Sequence, residues 1–306
     1  MSRRRARRAR GTIFAALIAA SAALAGGCDR RTPTPARTAK SPTVASLVPA
    51  ATEMILAMGA ADHLVAVSDF DDASSLVGLP RVGGYNSIDW EKLSQIRPNV
   101  IVSFYGENTP AGFVEHCREL GMRQVNVKLH RLDDIYDAIV RLGSACGEPT
   151  KAAAEAARVR ARIDRVRRLV AGLPPVKAVI VIDTAPLALA GRGTFLDDLL
   201  REAGGSNAVS ADGYVTLDRE ALAALAPQVV LLLLPDADAR QVAAAKAFWD
   251  AFPTMPAVKD HRVWAYTETY IKHSGPHVAD VAEKFAAALH PESATMPNPS
   301  ATGPAP

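Results

Sequence analysis

Two stretches of the chain carry the same side chains in the same order. The first holds Gly84, Tyr85, Asp89, Glu91, Leu93, Ile96, Pro98 and Val100. The second holds Gly213, Tyr214, Asp218, Glu220, Leu222, Leu225, Pro227 and Val229, at matching offsets and without a gap. A shared glycine, tyrosine, aspartate and glutamate make two related halves the natural reading. Each tyrosine offers a flat apolar face with a polar tip, the chemistry that stacks on a large, partly apolar ligand. Each aspartate suits a helix N-cap, and each glutamate falls in the first helical turn, where the helix dipole favours an anion. As core residues the tyrosines would only pack; as loop residues ahead of a helix they lie where open α/β sheets bind ligands.

Chemistry that makes or breaks bonds has no such footing. No Gly-x-Ser-x-Gly elbow follows a strand, which argues against the alternative of a secreted α/β hydrolase. There is no phosphate loop and no histidine pair at metalloprotease spacing. His273 and His277 are four apart, but Gly275-Pro276 lies between them, so a helix is expected to begin only at His277. Cys117 and Cys146 have no second cysteine or histidine at zinc-ligand spacing. They could form a disulfide in an exported compartment or remain two buried thiols.

The elements that must position these residues alternate between strand and helix. Strands are expected at Val44–Val48, His63–Val67, Val100–Phe104 and Gln124–Val127, with helices at Thr52–Met58, Ala111–Leu120 and Leu132–Leu142. Gly59 and Gly121 stop two of these helices. From Thr150 to Val170 the chain has no glycine or proline, and Gly172-Leu173-Pro174-Pro175 closes the stretch. A helix of that length spans about 30 Å, the width of a small domain. Alternation then restarts, with strands at Val179–Ile182, Val229–Leu234 and Val263–Tyr266, and helices at Thr194–Ala203, Arg240–Trp249 and His277–Leu289. The expected fold is α/β, with two Rossmann-like parallel-sheet lobes joined by a single long interdomain helix.

The N-terminus addresses the compartment. Arg3, Arg4, Arg5, Arg7, Arg8 and Arg10 precede an uncharged, mostly apolar run from Thr12 to Ala25. That run is shorter than the roughly 20 residues of a membrane span, and reads as a secretory signal. Ala25-Gly26-Gly27 directly before Cys28 resembles a bacterial lipobox, which makes Cys28 the expected lipidation site; the other reading is an ordinary cleaved signal with an incidental cysteine. The whole chain has 35 Lys+Arg against 32 Asp+Glu; the six arginines before Cys28 leave 29 against 32 in the mature part. The basicity therefore belongs to the signal and is no evidence for nucleic-acid binding. The expected divisions are 1–27 as lipoprotein signal peptide, 28–41 as disordered tether and 42–148 as N-terminal lobe. Residues 149–173 then form the connecting helix, 174–290 the C-terminal lobe and 291–306 a disordered, proline-bearing tail.

Further segments complete a pattern: Ser46-Leu47-Val48-Pro49-Ala50-Ala51-Thr52-Glu53 with Gly59, Gly83-Gly84-Tyr85, and Glu91-Lys92-Leu93 with Arg97-Pro98-Asn99-Val100. Gly204-Gly205-Ser206-Asn207 and Ser274-Gly275-Pro276 follow in order. Over Ser41 to His290 the chain resembles the periplasmic binding proteins of ABC importers that carry cobalamin, ferric siderophores and haem. The resemblance implies a membrane-anchored lipoprotein in the periplasm or cell envelope, acting as a monomer. It would capture a metal chelate (corrinoid, haem or ferric siderophore), with no built-in cofactor or metal, and deliver it to a permease with its ATPase subunits.

The resemblance also gives residues their roles. Glu91 and Glu220 match the glutamates, one per lobe, that dock onto permease arginines. Tyr85, Phe104, Tyr214 and Tyr270 match aromatic cleft positions of the cobalamin-binding members, with Tyr105 and Asn108 as further cleft candidates. Leu187 and Ala188 stand where another aromatic is expected. A trianionic siderophore would call for several bases in the cleft, and Arg192, Lys272 and Arg81 are the available ones. That balance tilts the expectation toward a corrinoid or other near-neutral chelate, while Tyr85 or Tyr214 could serve as an axial ligand to haem.

Overall fold

The computed structural model describes residues 41–293, apart from 73, 85, 106 and 107. The signal, Cys28, most of the tether, the end of the tail and Tyr85 therefore lie outside the described residues.

The first half builds a four-stranded sheet from β1 (Val44–Ser46), β2 (Leu64–Ala66), β5 (Val100–Ser103) and β6 (Arg123–Asn126). Its order is β2-β1-β5-β6, with every neighbouring pair parallel. All residues of β1 and β5 are buried, as expected of strands covered on both faces. The helices of this half are α1 (Pro49–Ala57), α2 (Trp90–Ile96), α3 (Ala111–Glu119) and α4 (Leu132–Cys146). A small antiparallel pair, β3 (Gly83–Gly84) and β4 (Ser87–Ile88), brackets Tyr85.

Helix α4 runs on past Leu142, the expected end, to Cys146. Gly143, just past the expected end, lies inside the helix and serves packing. A Cβ at Gly143 would lie 2.0 Å from the Cβ of Ala152, so only glycine lets the next helix approach this closely. That helix, α5 (Pro149–Leu169), starts two residues after Gly147, whose φ of 76° ends α4. Its buried residues Ala152, Glu155, Val159, Ile163 and Val166 recur every three or four positions, a single stripe on an otherwise charged rod.

The second half is a six-stranded mixed sheet. Its strands are β7 (Val176–Thr184), β8 (Leu187–Ala190), β9 (Gly205–Asn207), β10 (Tyr214–Thr216), β11 (Val229–Leu233) and β12 (Val263–Tyr266). Strands run β10-β8-β7-β11-β12, with β9 also on β7. Strands β7, β11 and β12 are parallel, as expected; β9, which was not expected, joins β7 in parallel, while β8 and β10 add antiparallel pairing at one edge. The hairpin between β7 and β8 contains a cis Ala185–Pro186 bond. Helices α6 (Phe195–Glu202), α7 (Arg219–Leu225), α8 (Ala239–Ala247), α9 (Pro256–Lys259) and α10 (Val278–Leu289) complete it.

Alternate residues of the central strands face opposite ways. Ala178, Ile180, Val229, Leu231 and Leu233 join an apolar cluster that continues through α4, α5 and α10 into the first sheet. Val179, Val181, Val230 and Leu232 form a second cluster with Trp249, Phe252 and Met255 on the other face. Ion pairs reinforce the continuous side. Arg162 of α5 reaches Asp280 at 2.7 Å and Glu283 at 2.6 Å on α10, and Arg167 reaches Glu202 on α6 at 2.6 Å. The Asp280 carboxyl is held well below its usual range: burial opposes this, and His277 and Arg162 outweigh it. Between the halves, Arg131 grips the buried Asp198 carboxylate through Nε at 2.7 Å and a terminal nitrogen at 2.6 Å, while Leu132 N–H donates to it at 3.0 Å.

The repeated segments fold alike. Asp89 Oδ1 accepts from Lys92 N at 2.9 Å and Asp218 Oδ1 from Ala221 N at 2.8 Å, so both aspartates are N-caps. Arg97 and Ala226 end the two helices in left-handed backbone, with φ of 50° and 44°. Asn99 and Gln228 then accept from Thr43 N, the residue before β1, and from Lys177 N of β7, at 2.8 and 2.9 Å, tying each turn to the start of the first strand of its own sheet. Cys117 and Cys146 are both free and buried, and burial pushes each thiol up to about 11.

Candidate functional site

Parallel strands end at a common rim, and the residues just past those ends are the ones such a sheet offers to a ligand. Past β5 come Phe104 and Tyr105. Both rings are half-buried. Phe104 lies tilted against His130 at 5.6 Å, and Tyr105 stands edge-on to Phe113 at 4.9 Å. The Tyr105 N–H donates to Asn126 Oδ1 at 2.9 Å, which pins the loop to the end of β6, and burial raises the pKa of its phenol. Asn108 is exposed on the same loop, its N–H bonded to Tyr105 O at 3.1 Å.

In the second half, a cavity of about 570 Å³ opens past the ends of β7 and β11. Leu233, Ala244, Ala245 and Phe248 give it apolar walls, and Asp183, Asp236 and Lys272 supply charge. Asp183 Oδ1 accepts from Thr184 N and Ala185 N at 2.7 and 3.1 Å, and Asp236 Oδ1 accepts from Thr269 Oγ1 at 2.7 Å. Tyr270 sits on the one-turn 3₁₀ helix Thr269–Lys272 that follows β12. Its ring stacks on His277 with centroids 4.4 Å apart and planes 21° apart, and burial, helped by Asp280 and Glu268, pushes its phenol up to about 12. Tyr214 stands on the edge strand β10, paired with Ala190, and is 54% exposed, so it is not a core tyrosine.

The three bases are each engaged. Lys272 Nζ donates to Ile182 O at 3.1 Å, and Arg192 pairs with the exposed Asp212 at 3.2 Å. Arg81 donates to Ser68 O at 2.8 Å and to Asp71 O. The histidine pair diverges: His273 meets Glu53 at 2.7 Å, and His277 meets Asp280 at 3.0 Å. Among the described residues no group of three histidine, cysteine, aspartate or glutamate side chains is arranged to hold a metal ion.

One aromatic escaped the sequence reading. Phe70 is 70% exposed, and its ring lies over Gly84, where a Cβ would come within 2.7 Å of Phe70 Cε2. A built turn presents it. Buried Asp71 accepts from Ser68 N and Oγ, both at 2.8 Å, and Phe70 N–H donates to Ser68 Oγ at 3.2 Å. Burial raises the Asp71 pKa against those hydrogen bonds. The available signal was a lone phenylalanine among Asp69, Asp71 and Asp72, next to Gly84 in space but not in sequence.

Glu91 and Glu220 are exposed in the first turns of α2 and α7, and among the described residues neither carboxylate is held by an ion pair. Capping falls to Asp89 and Asp218, so the glutamates are spare.

A sequence profile described as periplasmic binding protein matches residues 44–270. The chain belongs to the periplasmic binding protein family. Members bind solutes for transport and are not enzymes. This binding protein is 26% identical over 246 residues to a vitamin B12-binding protein of Vibrio cholerae, covering 79% of the chain and 86% of that relative. It is also 26% identical over 262 residues to a vitamin B12-binding protein of Yersinia pestis, covering 84% of the chain and 88% of that relative. The solved periplasmic vitamin B12-binding protein of Vibrio cholerae superposes with a TM-score of 0.70 at 25% identity, covering 81% of the chain and 96% of that structure. A periplasmic haem-binding protein of Pseudomonas aeruginosa shares the fold, with a TM-score of 0.72 at 24% identity over 84% of the chain and 96% of that structure. Both structures have the two-lobed α/β fold read from the sequence. No helix among the described residues is long and apolar enough to cross a membrane.

Proposed function

We propose that the chain is the substrate-binding lipoprotein of an ABC importer, that it takes a metal chelate between its lobes, and that the chelate is a corrinoid. The divisions at 42–148, 149–173 and 174–290 are proposed as lobe, connecting helix and lobe, with Cys28 as the lipid anchor. Aromatic faces collected past the sheet ends carry the reading: Phe70 and Phe104 beside the first sheet, Tyr270 beside the second, Tyr214 on its edge, and Tyr85 in the matching repeat. Flat apolar faces suit a macrocycle, and the 26% identical relatives are vitamin B12-binding proteins. Charge supports the same choice. Lys272, Arg192 and Arg81 already have partners, while Asp183 and Asp236 line the cavity, a setting that disfavours a polyanionic siderophore.

Tyr214→Ala and Tyr270→Ala should each weaken cyanocobalamin binding by several-fold, about 1 kcal/mol per lost stacking face. Isothermal titration at constant fold, checked by circular dichroism, measures this. Unchanged affinity in both variants would return the tyrosines to a packing role. Cys28→Ala should move the exported protein from the membrane to the soluble fraction on fractionation, and persistence at the membrane would remove the anchor from the account.

A further inference from the structure

Most anchors of the Tyr270 loop belong to its own sheet. Thr269 is bonded to Asp236 at 2.7 Å and Lys272 to Ile182 O at 3.1 Å. His273 reaches the other way. It caps the short helix that carries Tyr270, donating its N–H to Tyr270 O at 2.8 Å, and its Nδ1 meets Glu53 Oε1 at 2.7 Å across 220 residues of chain. Glu53 belongs to α1, the helix that follows the first strand of the first sheet. Both side chains are less than one-third exposed. The second carboxylate oxygen, Glu53 Oε2, is buried without a protein hydrogen-bond partner. Gly275 closes over that oxygen, and a Cβ there would lie 2.7 Å from it.

We propose that Glu53 and His273 form a positioning clasp between the two halves, which holds the Tyr270 loop against α1 and tightens when the imidazole carries a proton. Neutral histidine can offer Glu53 a single N–H bond; the imidazolium adds charge to it, a stronger bond in a partly dry setting. Among the described residues, the charges that act most strongly on His273 are acidic: Glu53 from α1, Asp72 from the loop after β2, and Asp236 from the loop after β11. The hydrogen bond to Glu53 first, then these charges, raise the His273 pKa against the opposing effect of burial. The sign follows from linkage. The clasp's contribution is fully present below the unfolded-state value of about 6.5 and is lost as pH rises through the higher folded value. Its effect on ligand affinity rests on the chelate-binding reading above; the clasp itself does not.

Hydrogen exchange of the full chain without ligand separates the two. Corrected for intrinsic rates, protection of segments 49–57 and 269–277 should fall roughly three-fold or more between about pH 6 and about pH 8.5 in the wild type. His273→Arg keeps a cation and should stay protected at both values. His273→Gln and Glu53→Gln should be poorly protected at both, with Tm showing that they remain folded. A wild-type chain whose protection ignores pH, or a Glu53→Gln chain that behaves like wild type, would overturn the clasp. Cyanocobalamin affinity should follow the same order across the variants. If the exchange pattern holds but no variant binds cyanocobalamin, the clasp stands and the corrinoid reading falls.

Discussion

Changing Glu91 and Glu220 together to lysine should cut importer-dependent uptake at least about ten-fold while leaving cyanocobalamin affinity within about two-fold of wild type. The reasoning starts from the caps. Asp89 and Asp218 accept the helix N–H bonds, so removing either glutamate costs only its dipole interaction, about 0.3 to 1 kcal/mol. Nothing among the described residues pairs with either carboxylate, and both are exposed on equivalent turns of the two halves. Two matched anions on two related halves suit a permease that presents cations to each. Lysine would replace attraction with repulsion, so reversal should harm uptake more than alanine does. Raising salt should weaken the wild-type complex with the permease by screening. Uptake, permease pull-down, ligand affinity and Tm must be read on the same variants. Normal uptake by the double reversal would leave the glutamates with only their small structural effect.

Gly143→Ala should be a strongly damaging small change in the fold. On an exposed helix, alanine gains about 1 kcal/mol over glycine. Here the added Cβ would sit 2.0 Å from Ala152 Cβ and 3.1 Å from Glu148 O, against backbone and a methyl that cannot swing aside. Helices α4 and α5 must separate, and overpacking of this kind costs about 1 to 3 kcal/mol. In a domain of this size that lowers Tm by roughly 2 to 10 °C. Gly143→Ala combined with Ala152→Gly restores the space, and should recover most of the loss after allowance for the new glycine. A Gly143→Ala chain as stable as wild type would mean that α4 and α5 sit further apart than the Gly143–Ala152 approach requires.

How far the sequence could be read depended on the range of the interactions. The paired segments, α5 and the strand–helix alternation were legible because capping, glycine stops and apolar runs act over a few residues. The aspartate caps at Asp89 and Asp218 fell where expected, and the spare glutamates beside them followed. Helix α4 was cut short because Gly143 answers to Ala152 on another helix, not to its own chain neighbours. Strands β8 and β10 were missed because three or four residues such as Leu187–Ala190 carry no decisive period. At the site, Tyr270 could be placed past a strand end, but its stacking partner His277 could not. Phe70 and the Glu53–His273 contact were invisible, since both depend on segments that meet only after folding.

Equilibrium dialysis of the purified mature chain against cyanocobalamin, haemin and a ferric catecholate siderophore tests the central claim most directly, with absorbance reporting bound and free ligand. Retention of one cyanocobalamin per chain at micromolar affinity or tighter, about −8 kcal/mol, with the siderophore passing freely, is the predicted result. Free passage of all three chelates through a folded chain would contradict the account.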